Sequence, residues 1–216
     1  MSHVFLLAMT RLICRTVGVS VGITLLTACY ISNDPVTDFG YAAWSGTEPA
    51  RDWTLAAELA VAETDLINQT PTDVKDFCPV YASLSSRDKK RFWAGLLSAM
   101  AKFESNFEPR TAFTETLRDS KGNNVVSRGL LQISLESANQ ARYGCGPLTA
   151  KTLHDPATNL SCGARILSKW VRDDGAISHA ESPIAGGGRY WSVLRPSNQN
   201  LRKIKRLTLN FEFCVL

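Results

Sequence analysis

The sequence predicts a mainly α-helical domain with one small β-hairpin lining a cleft. Three observations carry this. Apolar residues recur at helical spacing in several stretches, and cap residues stand at the ends of those stretches. One turn-rich segment, Asp119-Ser120-Lys121-Gly122-Asn123-Asn124, lies between Thr-rich and Val-rich pieces. A chain of 216 residues can form one domain with a real core plus extra segments. It is 44% hydrophobic and 20% charged, as globular proteins are. The net charge of +4 does not call for nucleic acid, but it fits an enzyme acting on an anionic polymer or near an anionic membrane.

Residues 1–28 are expected to be a targeting segment. Arg11 and Arg15 precede an uncharged run from Thr16 to Ala28, which is short for a membrane span. The run ends Leu26-Thr27-Ala28-Cys29, which resembles the bacterial lipobox, so Cys29 is expected to carry lipid. An ordinary secretory signal cut nearby, or an uncut anchor, is the competing reading. Tyr30 after the lipid site points to outer-membrane sorting, hence a periplasmic, lipid-anchored protein. Removing residues 1–28 deletes two arginines and no acids, leaving +2. Cys14 goes with the leader, and Cys78, Cys145, Cys162 and Cys214 remain for an oxidising compartment. Of the three pairings possible, Cys145–Cys162 with Cys78–Cys214 is favoured, the first closing a short loop and the second tying the C-terminus to the body. No C-x-x-C occurs and His154 and His179 lack ligand spacing, so no metal or cofactor is expected.

Residues 29–50 read as a polar tether and 51–216 as the domain. Asp52 to Asn68 reads as a first helix, with Asp52 as cap and Leu55, Leu59, Ala62 and Leu66 as its buried stripe. Ser85 to Asp88 resembles a capping box opening a second helix, which Pro109 ends at or just before Glu108. Thr111 to Arg128 reads as the hairpin, with Glu115 and Asp119 as its carboxylates. A helix is expected from Ser134 to Tyr143, another after the Asp155-Pro156 cap as far as Gly175, and a basic one over Leu201 to Leu209. Arg202, Lys203, Lys205 and Arg206 on the last read as a solvated face.

Glu104 continues the stripe Trp93, Leu97, Met100, so it falls on the side expected to face the core. Burial disfavours a carboxylate and raises its pKa, and a carboxylic acid still protonated near neutrality is what a general acid requires. The bland alternative is a solvated or ion-paired helical glutamate. Gln132, in Gly129-Leu130-Leu131-Gln132-Ile133, is expected to project its amide into a cleft, or else to bond a turn.

Glu104-Ser105, then Gly129-Leu130-Leu131-Gln132-Ile133, then Asp155-Pro156 with Asn159-Leu160 and Gly163, then a Gly-rich approach to Tyr190, resembles a lytic transglycosylase of the lysozyme-like superfamily. The resemblance spans about Leu84 to Arg195. It implies a lysozyme-like α+β domain that cleaves the bond between N-acetylmuramic acid and N-acetylglucosamine in peptidoglycan glycan strands, giving 1,6-anhydromuramic ends. Glu104 matches the acid that later acts as base, Ser105 a residue supporting it, Gln132 a cleft glutamine and Tyr190 a tyrosine near the acid. The family's Ala-Tyr-Asn-Ala-Gly segment stands here as Ile184-Ala185-Gly186-Gly187-Gly188, without the asparagine. An insertion before Gln132 carries Glu115 and Asp119. If either faces the cleft, water could be activated and the enzyme would be a hydrolytic lysozyme. A third possibility is a catalytically idle wall-binding lipoprotein.

Overall fold

The computed structural model describes residues 12–15, 28–31, 39–178, 182 and 184–215. It divides into two units, Met1–Asp38 and Phe39–Leu216. In the first, β1 (Leu12–Arg15) pairs antiparallel with β2 (Ala28–Ile31), placing Cys14 opposite Cys29. The rest of the expected leader, and residues 32–38 of the expected tether, lie outside the described residues. No helix among the described residues is long and apolar enough to cross a membrane.

Among its described residues the second unit holds five helices, α1 (Ala50–Ala62), α2 (Ser86–Glu104), α3 (Leu135–Ala138), α4 (Pro156–Asp174) and α5 (Gln199–Leu209), joined by short 3-10 turns. One sheet of three antiparallel strands, in the order β3 (Ala112–Arg118), β4 (Asn124–Arg128), β5 (Ile133–Ser134), stands among them. The caps read from the sequence are present. Ser85 Oγ accepts from the Asp88 N–H at the start of α2, and Asp155 accepts from the Thr158 N–H with Pro156 in the first turn of α4. Gly175 closes α4 in the left-handed region.

Helix α2 runs through the core, with Phe92, Trp93, Leu96, Leu97 and Met100 fully buried. Its close neighbour Phe211 would overlap any side chain at position 95, since a Cβ there would meet the ring at 2.5 Å. Tyr41 packs edge-on against Phe211 and Phe213, and the Arg91 guanidinium lies over Tyr41 and Phe213 at 4.8 and 4.7 Å. The first and last segments of this unit thus meet on one patch of α2.

Several expectations change. The folded unit begins at Phe39 rather than after residue 50: Tyr41, Ala42 and Trp44 are buried, and Trp44 Nε1 donates to Thr54 Oγ1 at 2.8 Å. The stripe of α1 is rotated. Trp53, Ala57, Ala60 and Val61 face inward, whereas Leu55 and Leu59 are 38% and 66% exposed and Ala62 is exposed. Alanines on the inner face let the helix approach its neighbours closely, and the larger leucines do not fit there. The helix stops at Ala62, with Leu66–Asn68 as a separate turn. Helix α2 stops at Glu104, four residues before Glu108, because Asn106 and Phe107 turn left-handed. The stretch expected as helix from Ser134 to Tyr143 splits into α3 and a 3-10 turn at Ala141–Tyr143, with Gln140 extended between them.

Cys78 is bonded to Cys214 and Cys145 to Cys162. The first spans 136 residues and the second 17. In the chain-entropy picture these loops stabilise by about 5 and about 3 kcal/mol. Replacing Cys78 and Cys214 by serine is therefore expected to lower Tm more than replacing Cys145 and Cys162. The reverse order in a calorimetric comparison would show that native contacts, not loop length, set the contribution.

Candidate active site

Glu104 is the last residue of α2, half-buried, behind the fully buried Met100 and Ala101. Its carboxyl is pushed up to about 8, first by burial and then by the negative charge of Glu115. At pH 7 it is a neutral acid. Just beyond it the chain turns sharply, with φ of 52° at Asn106 and 66° at Phe107. Two consecutive left-handed non-glycine residues store strain of about 1–2 kcal/mol each. Lys102 holds the turn: its Nζ donates to Asn106 Oδ1 at 2.7 Å and lies 5.0 Å from the Phe107 ring centroid. Ser105 is buried, and its Oγ donates to the Ala101 carbonyl at 3.2 Å, closing the helix end that carries Glu104.

Gln132 sits on a turn held from behind by Asn159. The Asn159 Oδ1 accepts from the Leu131 N–H at 2.8 Å, and its Nδ2 donates to the Arg128 and Leu153 carbonyls at 3.0 and 2.9 Å. Gly129 makes this possible. It has φ of 78°, and a Cβ there would fall 2.2 Å from the Leu153 oxygen and 2.3 Å from Asn159 Nδ2. Gln132 itself has φ of 47°. Its Nε2 donates to the Gly129 and Thr111 carbonyls at 2.8 and 3.2 Å, while its buried Oε1 has no partner among the described residues. That oxygen is placed to accept from a bound ligand or water.

The hairpin adds the second carboxylate. Ser127 Oγ donates to Glu115 Oε1 at 2.9 Å across the strands, which fixes Glu115 on the side whose charge reaches Glu104. Ser127 pairs in register with Ser134, and the Ser134 N–H donates to the Tyr190 hydroxyl at 3.2 Å. Burial pushes the Tyr190 phenol up, against the hydrogen bonds from Ser137 and Ser134, which pull it down. The Gly-rich turn that delivers Tyr190 is anchored on Asp174, which accepts from the Gly186 N–H at 2.7 Å and pairs with Arg189 through two hydrogen bonds. Asp119 lies at the hairpin tip. Its carboxyl accepts from the Asn123 and Lys121 N–H groups, and these bonds, the Asn123 one foremost, hold it below the usual carboxylate range. The structure brings together Glu104 and Glu115 electrostatically, and Glu115 and Tyr190 through the strand rung. Asp119 is occupied with its own turn. Among the described residues no cluster of three or more His, Cys, Asp or Glu side chains could hold a metal.

Residues 82–182 match the profile of the Transglycosylase SLT domain. The solved structures of Bd0314 DslA are similar over nearly their whole length. A Glu-to-Gln variant is 42% identical with TM-score 0.75, covering 81% of this chain and 98% of that one. A wild-type form and a second Glu-to-Gln variant give 42% with TM-scores of 0.75 and 0.74, covering 81% and 97%. The chain belongs to the SLT transglycosylase family. It is thus a peptidoglycan lytic transglycosylase with the lysozyme-like SLT fold. No curated protein matches it.

Two parts of this SLT site escaped the sequence reading. Asn159 is among the residues that carry the family resemblance, but it stands within a helix, where asparagine ordinarily reads as solvated, and its part in holding the Leu131 turn is not legible from spacing. Ser127 pairs with Glu115 through strand register, which residue spacing alone does not reveal.

Replacing Asn159 by alanine strips partners from three buried backbone groups, at about 1–3 kcal/mol each. The variant is expected to lose at least about 3 kcal/mol in denaturant melts, and to lose activity below its Tm because Gln132 is released. A second expectation concerns pH. Below about pH 4.5 the Glu104 carboxyl carries its proton both folded and unfolded, so it does not affect stability. Between there and about 8 the unfolded chain ionises while the folded one stays neutral, so the residue increasingly destabilises the fold. Glu104→Gln should show no Tm advantage at pH 4 and a growing one up to pH 8. An advantage that does not vary with pH would mean the carboxyl is not desolvated.

Proposed function

We propose that Glu104 is the single acid and base of a transglycosylase that cleaves the bond between N-acetylmuramic acid and N-acetylglucosamine and leaves 1,6-anhydromuramic ends. The observation that carries the reading is the neutral carboxyl of Glu104 at the end of α2, held up by burial and by Glu115. As acid, Glu104 gives its proton to the glycosidic oxygen while the bond to the anomeric carbon breaks. The substrate's own acetamido group stabilises the cationic sugar. Glu104, now ionised, takes the proton of the 6-hydroxyl as that oxygen bonds to the anomeric carbon, so no water is consumed. Gln132 would accept from the substrate through its unpartnered Oε1, and Ser105 and Tyr190 would hold the acid's helix end and the opposite wall.

A second reading has specific support. Among the described residues, Glu115 is the carboxylate whose charge acts on Glu104. The two glutamates replaced in the Bd0314 DslA variants are eleven residues apart, the separation of Glu104 and Glu115. Under this reading Glu115 activates a water and the product carries a reducing end.

We further propose, from the sequence, that residues 1–28 are removed and Cys29 is lipidated, giving a periplasmic enzyme tethered to the outer membrane.

Mass spectrometry of muropeptides released from acetylated and deacetylated peptidoglycan separates the readings. The transglycosylase reading expects products lighter by one water than reducing ends. Glu104→Gln should lose about 10²–10⁴-fold in rate, with the fold retained. The pH profile of kcat/KM should fall above about 8 as the acid loses its proton. Glu115→Gln should still yield anhydro ends, with that alkaline limb moved to lower pH because a repelling charge is gone. Reducing ends from the wild type, with an inactive Glu115→Gln, would install the hydrolytic reading instead.

A further inference from the structure

One rung of the sheet runs from the core to the rim. Phe113 on β3 pairs with Ser127 on β4, and Ser127 pairs with Ser134 on β5. Side chains on paired residues share a face of the sheet. Ser134 and Ser127 are buried, whereas Phe113 is 59% exposed. At the inner end of the rung the Ser134 N–H meets the Tyr190 hydroxyl. Although the register of β3 is irregular between Thr114 and Arg118, the Ser127 Oγ bond to Glu115 draws that carboxylate to the face that Ser127 shares with Phe113. A large aromatic side chain thus stands in water on the hairpin, whose strand β3 also exposes Leu117 at 67%, and it lies on the face where Ser127 holds Glu115 and which leads to Tyr190. Neither strand pairing nor the core uses its ring, and it appears in none of the ring–ring or cation–ring contacts among the described residues.

We propose that Phe113 is a sugar-binding platform at the cleft rim, whose ring receives the apolar face of a pyranose of the glycan strand. The inference rests on the glycan-cleaving reading above and adds a binding subsite to it. A flat ring offers broad contact area with little conformational entropy to lose, and the C–H groups on one side of a pyranose match it. The Glu115 carboxylate beside it can accept from the same sugar's hydroxyl groups while its other oxygen is held by Ser127. A strand laid over Phe113 lies beside Glu115, whose charge acts on Glu104.

The test is calorimetric titration of the Glu104→Gln protein, which binds without turnover, with a soluble tetrasaccharide of alternating N-acetylglucosamine and N-acetylmuramic acid. Adding Phe113→Ala should weaken Kd about tenfold. Phe113→Tyr and Phe113→Trp should stay within about threefold of the parent, and Phe113→Leu, apolar but not flat, should bind as weakly as the alanine variant. In the active protein Phe113→Ala should raise KM by a similar factor and leave kcat nearly unchanged. Because the side chain is exposed, Tm should move little in any of these. Binding by Phe113→Ala equal to the parent's, or full restoration by leucine, overturns the platform while leaving the glycan reading intact. No binding by the Glu104→Gln parent overturns both.

Discussion

The Asn159 amide satisfies three backbone groups packed where side chains leave no room for a partner of another kind: the Leu131 N–H and the carbonyls of Arg128 and Leu153. The cleft wall hangs from it. With Leu131 fixed, Gln132 is forced into its left-handed conformation and its amide nitrogen is committed to Gly129 and Thr111. With Arg128 fixed, β4 ends where β5 can pair with it, and the hairpin is anchored to α4 rather than free. Gly129 tolerates this closeness only because it has no side chain. A second tight contact, Gly163 against the Leu131 side chain, seals the same turn onto α4.

The cleft is assembled from costly parts. Among the described residues three non-glycine residues adopt positive φ, and all of them, Asn106, Phe107 and Gln132, lie within the two segments that frame Glu104. The acid itself is half desolvated and sits near a like charge. Such features persist only where the surroundings over-determine them. Here those surroundings are the buried aromatic cluster that Phe92 and Trp93 of α2 form with Tyr81, the Trp44–Phe107 contact, and the disulfides that close a long and a short loop.

Much of this was legible in the sequence because it rests on local rules. Ser85, Asp155, Pro156 and Gly175 mark helix ends by chemistry that acts within a few residues. Glu104 is legible because the stripe Trp93, Leu97, Met100 leads to it over about three turns of one helix face, and the hairpin because Asp119 to Asn124 can only be a turn. Features set by distant partners were not legible. The inward face of α1 is chosen by how closely it must pack, so small Ala57 and Ala60 go in and Leu55 and Leu59 stay out, against their hydrophobicity. The two-residue strand Ile133–Ser134 has no pattern of its own and exists because β4 lies beside it. The buried start of the unit was missed because Gly40, Gly46 and Pro49 read as tether, although Trp44 among them is wholly buried.

Where the two ends of the folded unit meet has a mechanical meaning. Tyr41, Phe211 and Phe213 close together over Arg91, thirteen residues before Glu104 on the same helix, or about 20 Å along its axis. Any leash attached ahead of Phe39 therefore pulls on the end of α2 remote from the acid. The load meets the aromatic clasp at Tyr41 before it reaches Trp44, whose ring packs against Phe107 in the strained turn, and the Cys78–Cys214 bond braces the other segment of the clasp. A domain hauled along a taut polymer can thus be held firmly at one pole while the other keeps its geometry.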